Sequence, residues 1–411
     1  MLIYIRYLNY ITEIGGIFFY MNVDQIRKDT LGCDSVIHFN NAGASLVPKP
    51  VATAIRDYIT EEETTGGYEL AALKKNEAEL FYSYAAQLLH CNSNDIAFTS
   101  SATDSYNRAL SSIPFKQGDV ILLTQNDYPS NFIAFISLQK RFGIKIVVVD
   151  NTVTGEIDLV DLESKLQQYN PVLLSVSHVP TSSGLVQPAE AIGKIVKKYD
   201  TLYLLDACQS LGQMDVDVIK IGADFVSGTF RKFLRGPRGA GLLYVSDNLI
   251  ASGFELLLPD FRGAEWTSVD GYKARPDAKR FENWEISFAL LLGATEALKY
   301  ILDIGIQNIE ARNHLLSQKL RQELASIQNV RLQDRGVNQC NIITFTISKH
   351  TEDAVIKYFR DNGINIYTSA KSGSLIDFDQ KGIEWVVRVS PHYYNTEAEI
   401  DTFINVLKNL V

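Results

Sequence analysis

From about residue 90 onward, the sequence alternates short apolar runs rich in β-branched residues with longer amphipathic stretches of helical length. Five of these runs lie at residues 95–100, 119–124, 144–150, 171–177 and 201–207. Nearly continuous apolar strands separated by helices indicate a parallel sheet that is buried on both faces, with right-handed crossover connections. The pattern therefore predicts an α/β fold built around one mostly parallel sheet.

A change of pattern near residue 300 indicates a second domain. The chain has 411 residues, which is more than one ordinary domain holds. Long helical stretches at 287–303 and 306–327 lead into shorter apolar runs and helices of an α+β kind. We therefore predict a large α/β domain at residues 21–285, whose N-terminal segment packs on a small C-terminal α+β domain at residues 286–411.

The first twenty residues form an uncertain N-terminal extension. They are apolar, but Arg6 and Glu13 interrupt them, and no small-residue cleavage site follows. A membrane-spanning helix needs about 20 mostly uncharged apolar residues, so residues 1–20 make a poor one. A signal peptide is an alternative, and Met21 is a plausible start of translation. Residues 1–20 therefore belong to neither predicted domain.

The charge and the cysteines of the chain exclude several classes of protein. A net charge of −9 and a pI near 5.3 argue against nucleic acid or an anionic membrane as a partner. The four cysteines are scattered and form no Cys-x-x-Cys pair, which argues against a metal site or a disulfide scaffold. We expect a cytoplasmic protein with no metal, nucleic acid or membrane partner.

Polar residues at the strand ends are the candidate site residues, because doubly wound sheets bind ligands beyond the carboxyl ends of their strands. A helix starting near Ser101 and Thr103 could bind phosphate through its N-terminus, although ordinary capping by either residue is the alternative. Tyr128 could lie over a planar ligand or be a simple loop tyrosine. His178 could be a base, a stacking group or an ordinary loop histidine.

Asp206 follows a buried apolar strand, where a carboxylate is costly unless it is paired. A protonated pyridinium nitrogen would be such a partner, and the ion pair would keep the ring electron-poor. Gln209 could then donate to the phenolic oxygen of the same ring. The alternative is that Asp206 caps the next helix.

Lys232 lies between two apolar segments and is followed by a glycine-rich turn. A partly desolvated lysine close to other cations has a lowered pKa, can form a Schiff base, and can then shuttle protons at a substrate carbon. A solvated basic loop is the alternative, because three arginines accompany this lysine. Phosphate-binding and dinucleotide-binding glycine motifs are absent from the sequence.

These residues, in this chain order, resemble the class V aminotransferase superfamily of fold type I, the group that contains the cysteine desulfurases. The resemblance covers about residues 36–410 and rests on seven segments. These are HFNNAGASLVPKPV, FTSSATDSYN, NDYPSN, DACQS, RKFLRGPRG, RGAEWTS and WVVRVSPHYYNTEAEID. It implies a large domain with a mostly parallel seven-stranded sheet, a smaller α+β domain and pyridoxal phosphate as the cofactor.

The resemblance also implies roles for individual residues. Lys232, Asp206 and Tyr128 are the implied catalytic residues, and Tyr128 stands where cysteine desulfurases carry a ring-stacking histidine. The implied cofactor-binding residues are Ala102, Thr103, Tyr128, Asp206, Gln209, Thr229, Arg231, Lys232 and Thr267. The implied substrate-binding residues are Asn41, Thr181 and Arg388, and the Arg388 guanidinium suits the substrate carboxylate. A homodimer is implied as well, with Thr267 reaching the phosphate bound by the neighbouring subunit.

Two departures from cysteine desulfurases bear on the reaction. In the segment that carries their persulfide-forming cysteine, this chain has Ser372 at the position of the cysteine and Tyr367 at the position of an arginine. Serine cannot form a persulfide. The segments HVPTSSGLVQP, RKFLRGPRG and RFENWE instead resemble hercynylcysteine sulfoxide lyases and isopenicillin N epimerase-like proteins.

We therefore expect a pyridoxal-phosphate enzyme that acts on an amino acid, foremost a β-eliminating carbon–sulfur lyase that yields pyruvate and ammonia. The substrate is expected to be a cysteine conjugate or a cysteine sulfoxide. Epimerase or aminotransferase chemistry is the alternative within the superfamily. A cysteine desulfurase and a non-catalytic relative of the fold rank below these.

Overall fold

The apolar runs become strands in the computed structural model, which describes residues 11–14 and 17–411. The strands are β1 (Ile11–Ile14), β2 (Ile17–Tyr20), β3 (Ile37–His38), β4 (Ile96–Thr99), β5 (Val120–Leu123), β6 (Lys145–Val148), β7 (Leu173–Ser177), β8 (Leu202–Asp206), β9 (Phe225–Thr229), β10 (Gly241–Val245), β11 (Ala264–Ser268), β12 (Gly271–Ala274), β13 (Val330–Leu332), β14 (Ile343–Ile347), β15 (Ile364–Asn365), β16 (Tyr367–Ala370) and β17 (Trp385–Val389).

Helices fill most of the intervals between these strands. They are α1 (Val23–Lys28), α2 (Lys49–Thr65), α3 (Gly67–Leu73), α4 (Lys75–Leu89), α5 (Ala102–Ser112), α6 (Pro129–Phe142), α7 (Leu159–Tyr169), α8 (Ala189–Val196), α9 (Val218–Ile221), α10 (Asp247–Ala251), α11 (Phe288–Ile304), α12 (Ile306–Ala325), α13 (Glu352–Asp361), α14 (Leu375–Lys381) and α15 (Glu397–Leu410). Short 3₁₀ turns link several of these elements.

Seven strands form the central sheet, in the order β4-β10-β9-β8-β7-β5-β6. The five strands from β9 to β6 are parallel, whereas β10 runs antiparallel to both β9 and β4. Every residue of β7 and β9 is buried. Burial on both faces explains why these segments read as continuous apolar runs. The predicted α/β fold with a mostly parallel seven-stranded sheet is confirmed.

Helices cover both faces of the sheet. Successive residues of one strand point to opposite faces, so two neighbouring residues pack against different helices. Leu205 packs into a cluster with residues of α4, α8 and α11. Its neighbour Leu204 packs on the other face with residues of α5 and α6. The carboxyl ends of the five parallel strands lie at one edge of the sheet, and the loops that follow these strands meet there.

A second sheet, β13-β14-β17-β16, is antiparallel and lies in the C-terminal part of the chain. Its apolar face packs with α12, α13 and α15 around residues such as Phe345, Phe359 and Phe403. Phe359 and Phe403 stack with their ring centroids 5.1 Å apart. This α+β unit carries Arg388 on its inner strand β17.

The helix α11, which the sequence analysis assigned to the small domain, packs against α2 and α4 of the large domain. Ile306 and Ile309, at the start of α12, belong to the same large core. Leu320 and Leu324, further along α12, belong to the core of the small domain. We infer that the two domains divide within α12 and not at residue 286.

An early segment of the chain is attached to the small domain. The short strand β3 pairs in parallel with β15, and Phe39 is buried in the core of the small domain. Asn40 forms a bridge with Ser390, just beyond β17. Residues 37–40 therefore lie beside Arg388, although the sequence separates them widely.

An antiparallel hairpin of β11 and β12 leaves most of its side chains exposed. Within the predicted extension, residues 1–20, the strands β1 and β2 pair antiparallel, and residues 1–10, 15 and 16 lie outside the described part of the chain. The expectations of a signal peptide and of a start at Met21 concern this region. Across the described residues, no helix combines the length and the apolar character that crossing a membrane requires.

Candidate functional site

A cavity at the carboxyl edge of the central sheet collects most of the predicted site residues. It is lined by Ser101, Ala102, Thr103, Tyr106, Tyr128, Asn131, Ser177, Val179, Thr181, Asp206, Cys208, Gln209, Thr229, Arg231 and Lys232. The elements that contribute these residues are separate in sequence and adjacent in the sheet. All the residues predicted to bind the cofactor line this cavity, with the exception of Thr267.

One end of the cavity is formed by the start of α5. Ser101 caps this helix, and its hydroxyl accepts a hydrogen bond from the Asp104 N–H at 3.1 Å. The N–H groups of Ala102 and Thr103 have no partner within the helix, as at any helix N-terminus, and therefore suit an anion. Glycine at position 241 lets the start of β10 lie close to the Ser101 backbone. A Cβ there would lie 2.5 Å from the carbonyl carbon of Ser101.

Lys232 lies in the turn between β9 and β10 and is buried. In the described part of the chain its amine makes no salt bridge, and it lies 6.0 Å from the centre of the Tyr128 ring. Burial, with Arg231 acting in the same direction, lowers the pKa of the Lys232 amine. The neutral, nucleophilic form of this amine is therefore favoured.

The turn that carries Lys232 is held by Arg235, whose side chain is almost completely buried. Its guanidinium donates to Leu46 O at 3.0 Å, to Tyr393 OH at 2.9 Å and to Thr30 Oγ1 at 2.6 Å. Arg235 itself adopts the left-handed conformation, with a φ of 55°. These hydrogen bonds stabilise a backbone conformation that is uncommon for residues other than glycine.

Asp206, at the end of β8, is buried and has no salt bridge among the described residues. Its Oδ1 accepts from the Cys208 N–H at 3.0 Å, and its Oδ2 accepts from Asn131 Nδ2 at 3.2 Å. A buried carboxylate and a buried amine, neither of them in a salt bridge within the described part of the chain, thus share one cavity. Pyridoxal phosphate fits this set, because its aldehyde can react with the amine and its ring nitrogen can pair with the carboxylate.

Gln209 and Thr181 form the side of the cavity that faces the small domain. Gln209 Nε2 donates to Thr181 Oγ1 at 2.9 Å and to Ala42 O at 3.2 Å. Gln209 Oε1 is buried and has no hydrogen-bond partner among the described residues. In this orientation the amide presents an acceptor, so donation to a phenolic oxygen requires the amide group to rotate.

Arg388 reaches the same side of the site from β17. Its guanidinium donates to Thr181 O at 3.0 Å and to Asn40 Oδ1 at 3.2 Å, while its Nε is buried without a partner among the described residues. The ring of Tyr367 lies 4.8 Å from the guanidinium carbon. Burial lowers the pKa of Arg388 to about 10, so it stays charged near neutral pH and can receive a carboxylate.

Besides Arg388 and Tyr367 of the small domain, four candidate residues do not line the cavity. The Asn41 side chain is buried: its Nδ2 donates to Ser390 O at 2.7 Å, and its Oδ1 accepts from Tyr394 OH at 2.6 Å. The neighbouring residue Asn40 contacts Arg388 instead. Thr267 is exposed on the β11–β12 hairpin, and Ser372 is exposed in a 3₁₀ turn. His178 is buried, and burial lowers its pKa to about 4.

Asn40, Asn131 and Ser177 contact the candidate site residues and were not predicted from the sequence. Asn131 lies on the first turn of α6, three residues after Tyr128, and Ser177 ends β7. Both were visible as polar residues at a strand end or a helix start, which is the signal that selected Tyr128. Asn40 carried no such signal, because its place depends on the pairing of β3 with the small domain.

Comparisons with known proteins agree with this geometry. The family model described as Aminotransferase class-V matches residues 37–403. A probable cysteine desulfurase of Pyrococcus abyssi (strain GE5 / Orsay) is 28% identical over 94% of this chain and 97% of its own length. The apo structure of a cysteine desulfurase from Thermococcus onnurineus NA1 superposes with a TM-score of 0.88 at 28% identity, covering 96% of this chain and 99% of that one.

A more distant likeness concerns the fold alone. The cystine C–S lyase C-DES, solved in complex with its product cysteine persulfide, has a TM-score of 0.82 at 19% identity. The alignment covers 92% of this chain and 99% of that chain.

Proposed function

Because this chain belongs to the aminotransferase class-V family, whose cofactor is pyridoxal phosphate, we propose that it is a β-eliminating carbon–sulfur lyase. Its substrate is an L-cysteine with a substituent on sulfur, either a cysteine conjugate or a cysteine sulfoxide. Its products are pyruvate, ammonia and the released sulfur compound. The observation that carries this proposal is the position of the thiols: among the described residues Cys208 is the cysteine that lines the cavity, and a serine stands at position 372.

A desulfurase passes sulfur to a thiolate of the enzyme, whereas an eliminating lyase needs no such acceptor. Cys208 is a cysteine that lines the cavity, and burial, together with the Asp206 carboxylate, raises the pKa of its thiol well above the ordinary value. Ser372, at the position of the desulfurase cysteine, offers a hydroxyl. The raised pKa disfavours the Cys208 thiolate that sulfur transfer would require, and Ser372, which is exposed outside the cavity, carries no thiol.

The residues of the chain divide the work of elimination among them. When bound, pyridoxal phosphate supplies an electron-poor ring that stabilises negative charge at the substrate α-carbon. Ala102, Thr103, Thr229 and Arg231 would hold its phosphate, and Asp206 would pair with its ring nitrogen. These contacts leave the amine of the catalytic lysine facing the substrate.

The substrate is held and deprotonated by two cationic side chains. Arg388 binds the substrate carboxylate, with its unpaired Nε available for this contact. Lys232 takes the α-proton, since its lowered pKa favours the free amine. The Cβ–S bond then breaks, and sulfur leaves with the bonding electron pair. Hydrolysis of the remaining three-carbon fragment yields pyruvate and ammonia.

Cysteine desulfurase activity is the second candidate, and the names of the relatives favour it. The curated relatives from Pyrococcus abyssi and Methanothermobacter thermautotrophicus are both described as probable cysteine desulfurases, at 28% and 26% identity. Such an activity would need Cys208, or one of the cysteines outside the cavity, to receive the sulfur. The two candidates differ in their product, because desulfuration of cysteine yields alanine and elimination yields pyruvate.

The test is to incubate the cofactor-loaded protein with L-cysteine and with several S-substituted cysteine sulfoxides, and to measure pyruvate, ammonia and alanine. The lyase proposal expects equal amounts of pyruvate and ammonia, loss of both in Lys232→Ala, and retention of both in Cys208→Ala. Alanine formation that disappears in Cys208→Ala would establish a desulfurase. If neither product forms, epimerase or aminotransferase chemistry replaces the lyase proposal.

We also propose that the active unit is a homodimer in which Thr267 completes the phosphate site of the neighbouring subunit. Thr267 is exposed and lies on a hairpin outside the cavity of its own chain. Four apolar residues near it in sequence, Leu257, Leu258, Phe261 and Trp266, are between 68% and 83% exposed. Exposed apolar side chains in one segment are a common feature of protein interfaces.

Hybrid dimers provide the test of this arrangement. Lys232→Ala and Thr267→Ala subunits are each expected to have low activity alone. If Thr267 acts across the interface, mixing the two restores one intact site per hybrid dimer, because both substitutions fall in the other site. Sedimentation as a monomer, or a mixture with no more activity than its components, would contradict the dimer proposal.

A further inference from the structure

A second carboxylate, Asp127, lies beneath the cavity next to Asp206. It follows β5, immediately before Tyr128, and is 3% exposed. Its Oδ1 accepts hydrogen bonds from the Tyr128 N–H at 2.7 Å, from Ser177 Oγ at 2.5 Å and from Asn131 Nδ2 at 2.9 Å. Asp127 thus fixes the backbone of the predicted stacking residue and contacts two residues that line the cavity.

One amide group connects the two carboxylates. Asn131 Nδ2 donates to Asp127 Oδ1 at 2.9 Å and to Asp206 Oδ2 at 3.2 Å. A side-chain amide carries two protons, so this nitrogen can serve both acceptors at once. The orientation of the Asp206 carboxylate therefore depends on Asn131, and Asn131 is in turn held by Asp127.

The other side of Asp127 faces hydroxyl groups and no cation. Its Oδ2 accepts from Ser175 Oγ at 3.2 Å, and Ser175 Oγ lies 2.5 Å from the Tyr106 hydroxyl of α5. The titratable groups that face Asp127 are Tyr106 from α5, Asp206 from β8 and the adjoining Tyr128. No salt bridge to Asp127 is present in the described part of the chain.

Two buried carboxylates joined by a neutral amide need a compensating proton or cation. Burial raises the pKa of Asp127 to about 6, and the nearby Asp206 acts in the same direction. Near neutral pH, most of the Asp127 groups are therefore ionised. The positive charge that both carboxylates can share is that of a protonated ring nitrogen in the cavity.

We propose that Asp127 is a positioning residue that acts through Asn131, keeping the Asp206 carboxylate directed at the cofactor ring and strengthening the hold of the ring nitrogen on its proton. This inference rests on the family's cofactor and on Asp206 facing its ring, and it is independent of the reaction that follows. The hydrogen bonds of Asn131 orient the Asp206 carboxylate, and the negative charge of Asp127 adds to that of Asp206 near the ring nitrogen.

The decisive measurement is the protonation of the ring nitrogen, read from its ¹⁵N chemical shift in protein loaded with ¹⁵N-labelled pyridoxal phosphate without substrate. Asp127→Asn keeps the shape and the hydrogen-bonding capacity of the side chain and removes its charge. We expect the pKa of the ring nitrogen to be about one unit lower in this variant than in the wild type. One unit is about the lower end of the shift that a nearby charge causes. Asn131→Ala, which removes the bridging amide, should move the titration in the same direction.

Asp95→Asn is the matched control. Asp95 is also buried, with a pKa raised to about 6 by burial and by Asp247, but it lies outside the cavity. Its replacement should leave the ring nitrogen unchanged. The proposal is overturned if Asp127→Asn and Asn131→Ala alter only the melting temperature, or if Asp95→Asn moves the titration equally. Because no substrate is present, these outcomes are separate from any failure of the lyase proposal.

Discussion

Glu282 is a carboxylate with no exposed surface that joins three separate parts of the large domain. Its Oε1 accepts from Tyr82 OH at 2.8 Å and from the Phe98 N–H at 2.9 Å. Its Oε2 accepts from Arg262 Nε at 3.1 Å. Burial raises the pKa of Glu282 and the Arg262 guanidinium opposes that rise. The Arg262 guanidinium, together with the Phe98 N–H and the Tyr82 hydroxyl, therefore favours the ionised form of this buried carboxylate.

We predict that Arg262→Met lowers the free energy of unfolding by about 3 kcal/mol near pH 8, because it leaves an uncompensated buried charge. The lower end of the usual range applies, since the Arg262 side chain is 29% exposed and water can replace part of its contact. The loss should shrink toward pH 5. A carboxyl group with a raised folded-state pKa binds more protons in the folded protein, so its contribution to stability falls as the pH rises.

The assay is urea unfolding of the cofactor-loaded protein at fixed subunit concentration, in wild-type and Glu282→Gln backgrounds. Arg262→Met should cost less than about 1 kcal/mol once Glu282 is neutral, because no buried charge is then left alone. The control is Arg275→Met, since Arg275 is 41% exposed in its pair with Asp277 and such pairs contribute less than about 1 kcal/mol. Equal costs in both backgrounds, or a cost that does not change with pH, would refute the reasoning.

Three further predictions concern other parts of the molecule. Burial lowers the pKa of His178 from 6.5 to about 4. Between these two pH values the folded state binds fewer protons than the unfolded state, so stability is lost as the pH falls from 6.5 toward 4. His178→Gln should remove up to about 3 kcal/mol of this acid sensitivity, measured as the change in unfolding free energy between about pH 7 and pH 4.5, and an unchanged sensitivity would argue against it. A Cβ on Gly193 would lie 1.7 Å from Ile221 O, so Gly193→Ala should cost about 2 kcal/mol by overpacking even after its gain in helix propensity; a raised melting temperature would disprove this. Arg388→Lys should raise KM for amino-acid substrates about tenfold with a smaller change in kcat, because lysine lacks the bidentate geometry, and a change confined to kcat would contradict the assigned role.

The central sheet could be predicted because its signal is local. Each buried parallel strand reads as an apolar run, and ligands bind at the carboxyl ends of such strands. Asp206 and Lys232 stood out for the same reason, since a charged residue beside a buried run is unusual. The placement of α11 could not be predicted, because helical periodicity identifies a helix but not the core against which it packs.

The contacts between the candidate site residues were less accessible to sequence reasoning. Asn40 reaches Arg388 only because β3 adds to the far end of the chain at β15. The role of Asn131 could not be predicted, because an asparagine on the first turn of a helix is common and its two acceptors, Asp127 and Asp206, come from different parts of the sheet. Such pairings depend on tertiary geometry, which a single sequence does not specify.

The attachment of β3 to β15 has a consequence for biosynthesis. The residues proposed to hold the cofactor, apart from Thr267, lie between Ala102 and Lys232, and domains generally fold as units while the chain is being made. Arg388 and its partner Asn40 come together only after β15 and β17 have been synthesised, because this contact joins the two ends of the chain. We expect a nascent chain to have synthesised the residues proposed to bind the cofactor well before Arg388, whereas the contact of Arg235 with Tyr393 that holds the Lys232 turn and the contact of Arg388 with Asn40 both wait for the end of the chain.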